Sequence, residues 1–378
     1  MAPHSLTLAA LATSAISGLT VSSYSQLKHS SSGKLSVLIE TNLGSLNVSV
    51  PTNVSEEIRQ SKEILSLTAL SKSARLMLPF DVPQLLGIVG YKDTRATVSS
   101  SLSGRLLSEI ESEVELRHSQ IAEAIAAIHS LPLQIVSNEG LPFMSVSEIR
   151  KQTLKTLDRA LESGLVPEII NDRWRNIILN DSLWDFSPTV VHGNLDEDQL
   201  LFAENTLTGI TGWEDLQVSD PAIDFSWTAN LPYEKTLLSE YGKKSSSIDL
   251  NSLMKRVRFW QEFAIAKWLL HGVDMHNNET VKDAVLLFNE LVDYVKQTPA
   301  DGVSEVSPAS NAEEVLDQVP ENLDKSSDTA AFESLEEDRY FASENDFSEE
   351  AQASTTVSDS NNQTEPIADL NTNSETKK

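Results

Sequence analysis

Val190-Val191-His192-Gly193-Asn194-Leu195-Asp196-Glu197-Asp198-Gln199-Leu200-Leu201, followed by Trp213-Glu214-Asp215-Leu216-Gln217-Val218-Ser219-Asp220-Pro221-Ala222-Ile223-Asp224-Phe225, are the stretches that decide the fold. Each pairs a β-rich run with a loop dense in acidic side chains. The β-rich pair spans Thr189 to Leu201 and Thr206 to Trp213, inside a part of the chain that is otherwise helical in its spacing. Reading outward towards the C-terminus, Leu250 to His271 is long and apolar, with Val257, Phe259, Trp260, Phe263, Ile265, Trp268 and Leu269. Glu279 to Gln297 is a further helix. Towards the N-terminus, Pro167 to Leu179, Val146 to Ser163 and Glu113 to His129 have helical periods, the last ended by Leu131-Pro132.

Further upstream the period changes. Lys34 to Thr41 alternates, Asn42-Leu43-Gly44 signals a turn, and Ser45 to Pro51 alternates again, which predicts a hairpin. Ser55 to Leu70 then carries helical spacing with Ser55 as the expected cap. Short strands around Leu85–Val89 and Ala96–Ser99 complete a small sheet. The expected fold class is α+β and bilobal, like a protein kinase. Its expected parts are a small N-terminal sheet lobe (1–90), a larger helical lobe with both loops (91–297) and an acidic tail (298–378).

The tail holds 20 Asp and Glu against 4 Lys and Arg, a net charge of −16 out of −27 for the 378 residues. Its scattered apolar residues cannot offset the entropy of ordering, so disorder is expected there. So acidic a chain lacks the basic face a nucleic-acid binder needs. It has no cysteine, which excludes disulfides and thiolate metal sites and suits a reducing cytoplasm. No apolar run approaches the ~20 residues of a membrane span. Met1 to Gly18 reads as an amphipathic helix, with Leu6, Leu8, Leu11, Ala12 and Ile16 on one face. As an export signal it lacks the leading Lys or Arg.

The two loops resemble the signature loops of the aminoglycoside and macrolide phosphotransferase family, whose fold is kinase-like. There the first loop reads His-Gly-Asp-Leu with Asn or His five residues after the Asp. The second reads Asp-Trp-x-x-Ala-x-x-Gly-Asp-Pro-x-x-Asp-Phe/Leu. Ile125-Ala126-Ala127-Ile128-His129-Ser130-Leu131-Pro132 and Ala266-Lys267-Trp268-Leu269-Leu270-His271-Gly272 add to the likeness, which runs from about residue 5 to 297 and is closest to the macrolide-type branch.

The resemblance implies ATP or GTP with Mg²⁺ and transfer to a hydroxyl of a small molecule, chemistry that rests on positioned charge. Matched position by position, the charges are missing. The catalytic carboxylate falls on Asn194, whose amide orients a hydroxyl but takes no proton at neutral pH. The first metal ligand falls on Gln199, a weak oxygen donor, and the second on Gly212, which has no side chain. The phosphate-steadying base falls on Ser49, leaving its helix partner Glu63 expected without a cation. What the resemblance implies is retained is scaffold: His192 as the loop-fixing histidine, Asp220 and Asp224 as acceptors for backbone amides of the second loop, and Trp213 and Phe225 as packing residues.

Two functions follow. The favoured one is a catalytically impaired kinase-like protein acting as a binding or regulatory module, with nucleotide binding weak or absent. The alternative is an active ATP- or GTP-dependent O-phosphotransferase of macrolide or aminoglycoside type with displaced charges. These would come from Asp196, Glu197, Asp198, Glu214 or Asp215 as carboxylates and Lys62 or Arg59 as base.

Overall fold

The period-two pattern of the hairpin divides its side chains between two environments, and this division builds the first lobe. A computed structural model describes residues 5–26, 33–110, 117–244 and 249–297. Its first part runs α1 (Ser5–Ala15), β1 (Val21–Gln26), β2 (Lys34–Thr41), β3 (Gly44–Pro51), α2 (Val54–Ala69), α3 (Lys72–Arg75), β4 (Leu85–Tyr91) and β5 (Thr94–Ser100). The five strands form one antiparallel sheet in the order β1-β2-β3-β5-β4. β5 belongs to this sheet, so the first lobe reaches Ser100, ten residues beyond the expected boundary at 90.

Val37, Ile39, Leu46, Val48, Val50, Ala96 and Val98 share one face and are buried with Leu8, Ala9 and Ala12 of α1 in a core of their own. Leu6 lies outside that core and is exposed. The opposite face carries Lys34, Ser36, Asn47, Ser49, Thr97 and Ser99, and looks into a cleft bordered by α2. The cap of α2 is Asn53, not Ser55: its side chain accepts the Glu56 N–H at 2.9 Å. An Asn amide oxygen does the same work as a Ser hydroxyl two positions later, which moves the start of the helix without changing its face.

The second part comprises β6 (Arg105–Leu106), α4 (His118–His129), α5 (Gln134–Ser137), α6 (Val146–Glu162), α7 (Glu168–Leu179), β7 (Thr189–Val191), β8 (Leu200–Ala203), β9 (Thr206–Ile210), β10 (Gln217–Ser219), α8 (Glu234–Lys244), α9 (Leu250–Asp274) and α10 (Asn278–Gln297). α4 begins at His118. The expected start near Glu113 lies outside the described residues, as does the acidic tail.

Mid-chain, the expected β-rich pair resolves differently. β8 pairs with β9 as a hairpin, whereas β7 pairs with β10, so each loop is suspended between two short ladders. A core of Trp174, Phe259, Phe263 and Phe288 with many aliphatic residues fills this lobe. Leu67 and Leu70, at the end of α2, belong to it, so α2 ties the lobes together. Glu262, buried on α9, is neutralised by Arg173 at 2.8 Å and accepts Trp174 Nε1–H at 3.1 Å, which satisfies a charge that would otherwise be costly to bury.

Candidate active site and cleft

Asp224 organises the first loop. It is fully buried, and its two carboxylate oxygens accept the His192 N–H at 2.9 Å and the Gly193 N–H at 2.8 Å. His129 Nε2, from the end of α4, reaches the same carboxylate at 3.1 Å, while His129 Nδ1 meets the Tyr241 hydroxyl of α8 at 2.7 Å. Burial pushes the Asp224 carboxyl up, but the His129 hydrogen bond and charge and the loop amides outweigh it, and its pKa lies below the ordinary value. The sequence assigned Asp224 to the second loop; the fold turns it on the first. Gly193 sits at φ +89°, and a Cβ there would overlap the Asp215 carbonyl oxygen, so the position requires glycine.

Asp220 does hold its own loop. Its Oδ1 accepts the Ala222 N–H at 2.9 Å, and Arg256 and Trp260 of α9 bind its carboxylate at 2.9 and 2.8 Å. His192 is buried, and its Nε2–H donates to the Thr211 carbonyl at 2.8 Å, lacing the first loop to the residue before Gly212. Its ring lies 4.7 Å from that of Trp213, and Phe225 is buried against His129 and Tyr241.

The positions that would carry chemistry look different. Asn194 is exposed. Gln199 Oε1 accepts the Asp196 N–H at 2.7 Å, so the oxygen expected to serve a cation closes a turn inside the loop. Gly212 is in the left-handed region at φ +77°, and a Cβ there would lie 2.7 Å from Gln199 Cγ. Gln199 and Gly212, which the resemblance assigns to metal, therefore do not fit a divalent cation. Among the described residues no group of three or more His, Asp or Glu is arranged to hold a metal ion.

The displaced candidates are engaged as well. Asp196 Oδ1 accepts the Asp198 N–H at 2.7 Å, and Asp198 accepts Ser108 Oγ–H at 2.5 Å. Burial, aided by the Asp198 charge, raises the Asp196 pKa. Glu214 is bound by Arg59 of α2 at 2.5 Å. Burial alone would raise the Glu214 pKa, but the hydrogen bond and charge of Arg59 bring it below its ordinary value.

Between the lobes lies a cavity of about 330 Å³, lined by the polar sheet face, by Glu56, Arg59, Gln60 and Glu63 of α2, and by Thr211, Gly212 and Glu214. Ser49, Glu63 and Gly212 thus come together, whereas His192, Asn194 and Gln199 do not line it. Ser49 Oγ is 2.9 Å from Thr97 Oγ1. Glu63 is not left without a cation: Lys34 Nζ, from β2, stands 3.3 Å from its Oε2. The sequence reading looked for a substitute on α2 itself and missed the neighbouring strand. Pairing of Ser36 with Ser49 puts Lys34 on the same face and would have found it.

The sheet lobe over a helical lobe, with two loops hung from buried aspartates, defines a kinase-like phosphotransferase fold. The chain belongs to the phosphotransferase enzyme family, whose model matches residues 39–260. Among solved structures it is similar to the GDP complex of aminoglycoside 2'-phosphotransferase-IIIa, with TM-score 0.64 and 18% identity over 78% of this chain and 100% of that one. It is similar also to macrolide 2'-phosphotransferase type I, with TM-score 0.60 and 21% identity over 74% and 94% of the two chains. A macrolide 2'-phosphotransferase from Brachybacterium faecium, crystallised as the apoenzyme, gives TM-score 0.64 and 16% identity over 76% and 98%. A curated relative, an uncharacterized protein of Bacillus subtilis (strain 168), is 24% identical over 106 residues. The match spans 28% of this chain and only 35% of that relative. Among the described residues no helix is long and apolar enough to cross a membrane.

Proposed function

We propose that this chain is a catalytically impaired member of the phosphotransferase family, nearest its macrolide-type branch, that works in the cytoplasm as a ligand-binding module. The observation that carries this reading is the closed metal site: Gly212 offers no ligand, and Gln199 Oε1 already accepts the Asp196 N–H. Without a divalent cation the negative charge on a transferring phosphoryl group has no counter-charge, and Asn194 offers no base. The engagement of Asp196, Asp198 and Glu214 within the fold supports the same reading against a displaced active site. That solved relatives hold GDP supports a nucleotide-like occupant for the cleft. The cytoplasmic setting is inferred from a sequence without cysteine.

The test restores the lost groups: Asn194→Asp, Gln199→Asn and Gly212→Asp in one chain. Asp is among the residues that tolerate the left-handed region, although Gln199 or its replacement must shift to admit it. Transfer from ATP or GTP to a macrolide or aminoglycoside by the variant, and none by the wild type, supports the reading. Comparable transfer by the unaltered chain overturns it.

A further inference from the structure

We propose that β1, the outer strand of the five-stranded sheet, pairs with β1 of a second copy of this chain, so that the two sheets join into one. The inference is independent of what the cleft binds. β1 has β2 on one side and, among the described residues, no strand on the other. Its register with β2 sets Tyr24 beside Ile39 and Ser25 beside Leu38, so Tyr24 stands on the face that α1 covers. Ile39 is buried there, but Tyr24 is 49% exposed and Leu6 of α1 is 65% exposed. The two border a groove of about 410 Å³, walled by Leu6, Ala9, Ala10 and Thr13 of α1 and by Val21 and Tyr24 of β1. The core of the sheet lobe therefore stops at an open apolar margin, where one more strand would continue it.

Charge names the occupant. The chain carries a net −27, yet residues 5–26, which hold all of α1 and β1, include no Asp, Glu, Lys, Arg or His. Two such copies repel each other, but exposed charges are screened over ~8 Å at physiological salt, so an uncharged surface is where they can touch. The acidic tail is the poorer occupant, since it brings a net −16 to a groove with no cation among its lining residues. Edge strands that stay single are blunted by Lys, Pro or a bulge. β1 has neither Lys nor Pro, and its bulge between Val21 and Ser23 bends one end and leaves Tyr24 to Gln26 in regular register. A strand that meets its own copy antiparallel across a twofold axis satisfies both edges with the same donors and acceptors, and closes as a dimer. That axis stands normal to the sheet, so both grooves lie on the same side, and Tyr24 and Leu6 of the two copies gather in one apolar patch.

Sedimentation equilibrium of the full chain, at about 0.15 M and about 0.5 M NaCl, tests this. A short strand pair buries little area, so a weak dimer in the micromolar range is expected. It should tighten as salt screens the −27 on each copy. Tyr24→Glu sets like charges against each other at the joint, and is expected to weaken the dimer about tenfold or more with unfolding in dilute solution unchanged. Leu6→Glu should do the same from the other wall, and an acid suits the first turn of α1, so the helix stays formed. Amide exchange in β1 should slow as protein concentration rises. A chain that is monomeric up to ~0.5 mM, a dimer indifferent to both substitutions, or one that weakens with added salt overturns the proposal. Amides of β1 protected to the same degree at every dilution would give the edge to a segment of the same chain, which overturns it too.

Discussion

The same two loops have an underside and an upper side, and they are built on opposite terms. Underneath, Asp220 and Asp224 are buried and hydrogen-bonded, and they reach across to α9 and α4. Above, Asn194, Gln199 and Gly212 are neutral and short of reach, and Gln199 turns inward. A loop's shape and a loop's chemistry are therefore separable. Buried carboxylates hold the shape because removing one strands several partners in a low-dielectric interior. Asn194, Gln199 and Gly212, the positions the resemblance assigns to chemistry, hold no such set of buried partners, so they can vary while the fold stays intact.

Substitution beneath the loops should break the molecule. Asp224→Ala leaves His129 and two buried N–H groups without an acceptor, and is expected to lower stability by roughly 3–5 kcal/mol in chemical denaturation. Gly193→Ala forces a Cβ onto the Asp215 carbonyl at positive φ, for a loss of about 1–3 kcal/mol in the same measurement.

The pH dependence follows from the same aspartate. Its folded pKa is depressed, so its contribution is present above the unfolded value of about 3.9 and fades as pH falls through the lower folded value. Melting temperature should therefore drop steeply below about pH 4, and more gently in Asp224→Asn. Equal acid sensitivity in the two proteins would contradict the role given to the charge.

On the upper side the effects should be small. Arg59→Ala removes the pair with Glu214 that crosses from α2 to the second loop. Arg59 is half exposed but Glu214 is largely buried and loses its counter-charge, so the expected loss is about 1–2 kcal/mol. Asn194→Ala should be silent in stability, within about 0.5 kcal/mol. A destabilisation by Asn194→Ala rivalling that of Asp224→Ala would erase the distinction between the two sides.

How much of this could be read from the sequence follows the same division. His192-Gly193, Trp213 and Asp220 to Phe225 gave away the fold because a loop hung from buried carboxylates needs those residue types at fixed spacing. The hairpin was legible because alternation at Val37, Ile39, Val48 and Val50 marks a sheet with one apolar face. What stayed hidden was tertiary. That Asp224 clamps the first loop, and that His129 clamps Asp224, depends on helices brought together over about a hundred residues. Lys34 escaped notice because its partner Glu63 lies on another element, and strand register had to be followed to bring them together. The inward turn of Gln199 is a side-chain choice that residue type alone leaves open.

On the proposed function, the chain keeps the phosphotransferase fold without transferring phosphate. The direct measurement follows the γ-phosphate of ATP and of GTP by phosphorus NMR, with Mg²⁺, the full wild-type chain, and a macrolide or an aminoglycoside as acceptor. The γ-phosphate signal is expected to stay on the nucleotide. Growth of a phosphorylated acceptor at a rate set by enzyme concentration would contradict it.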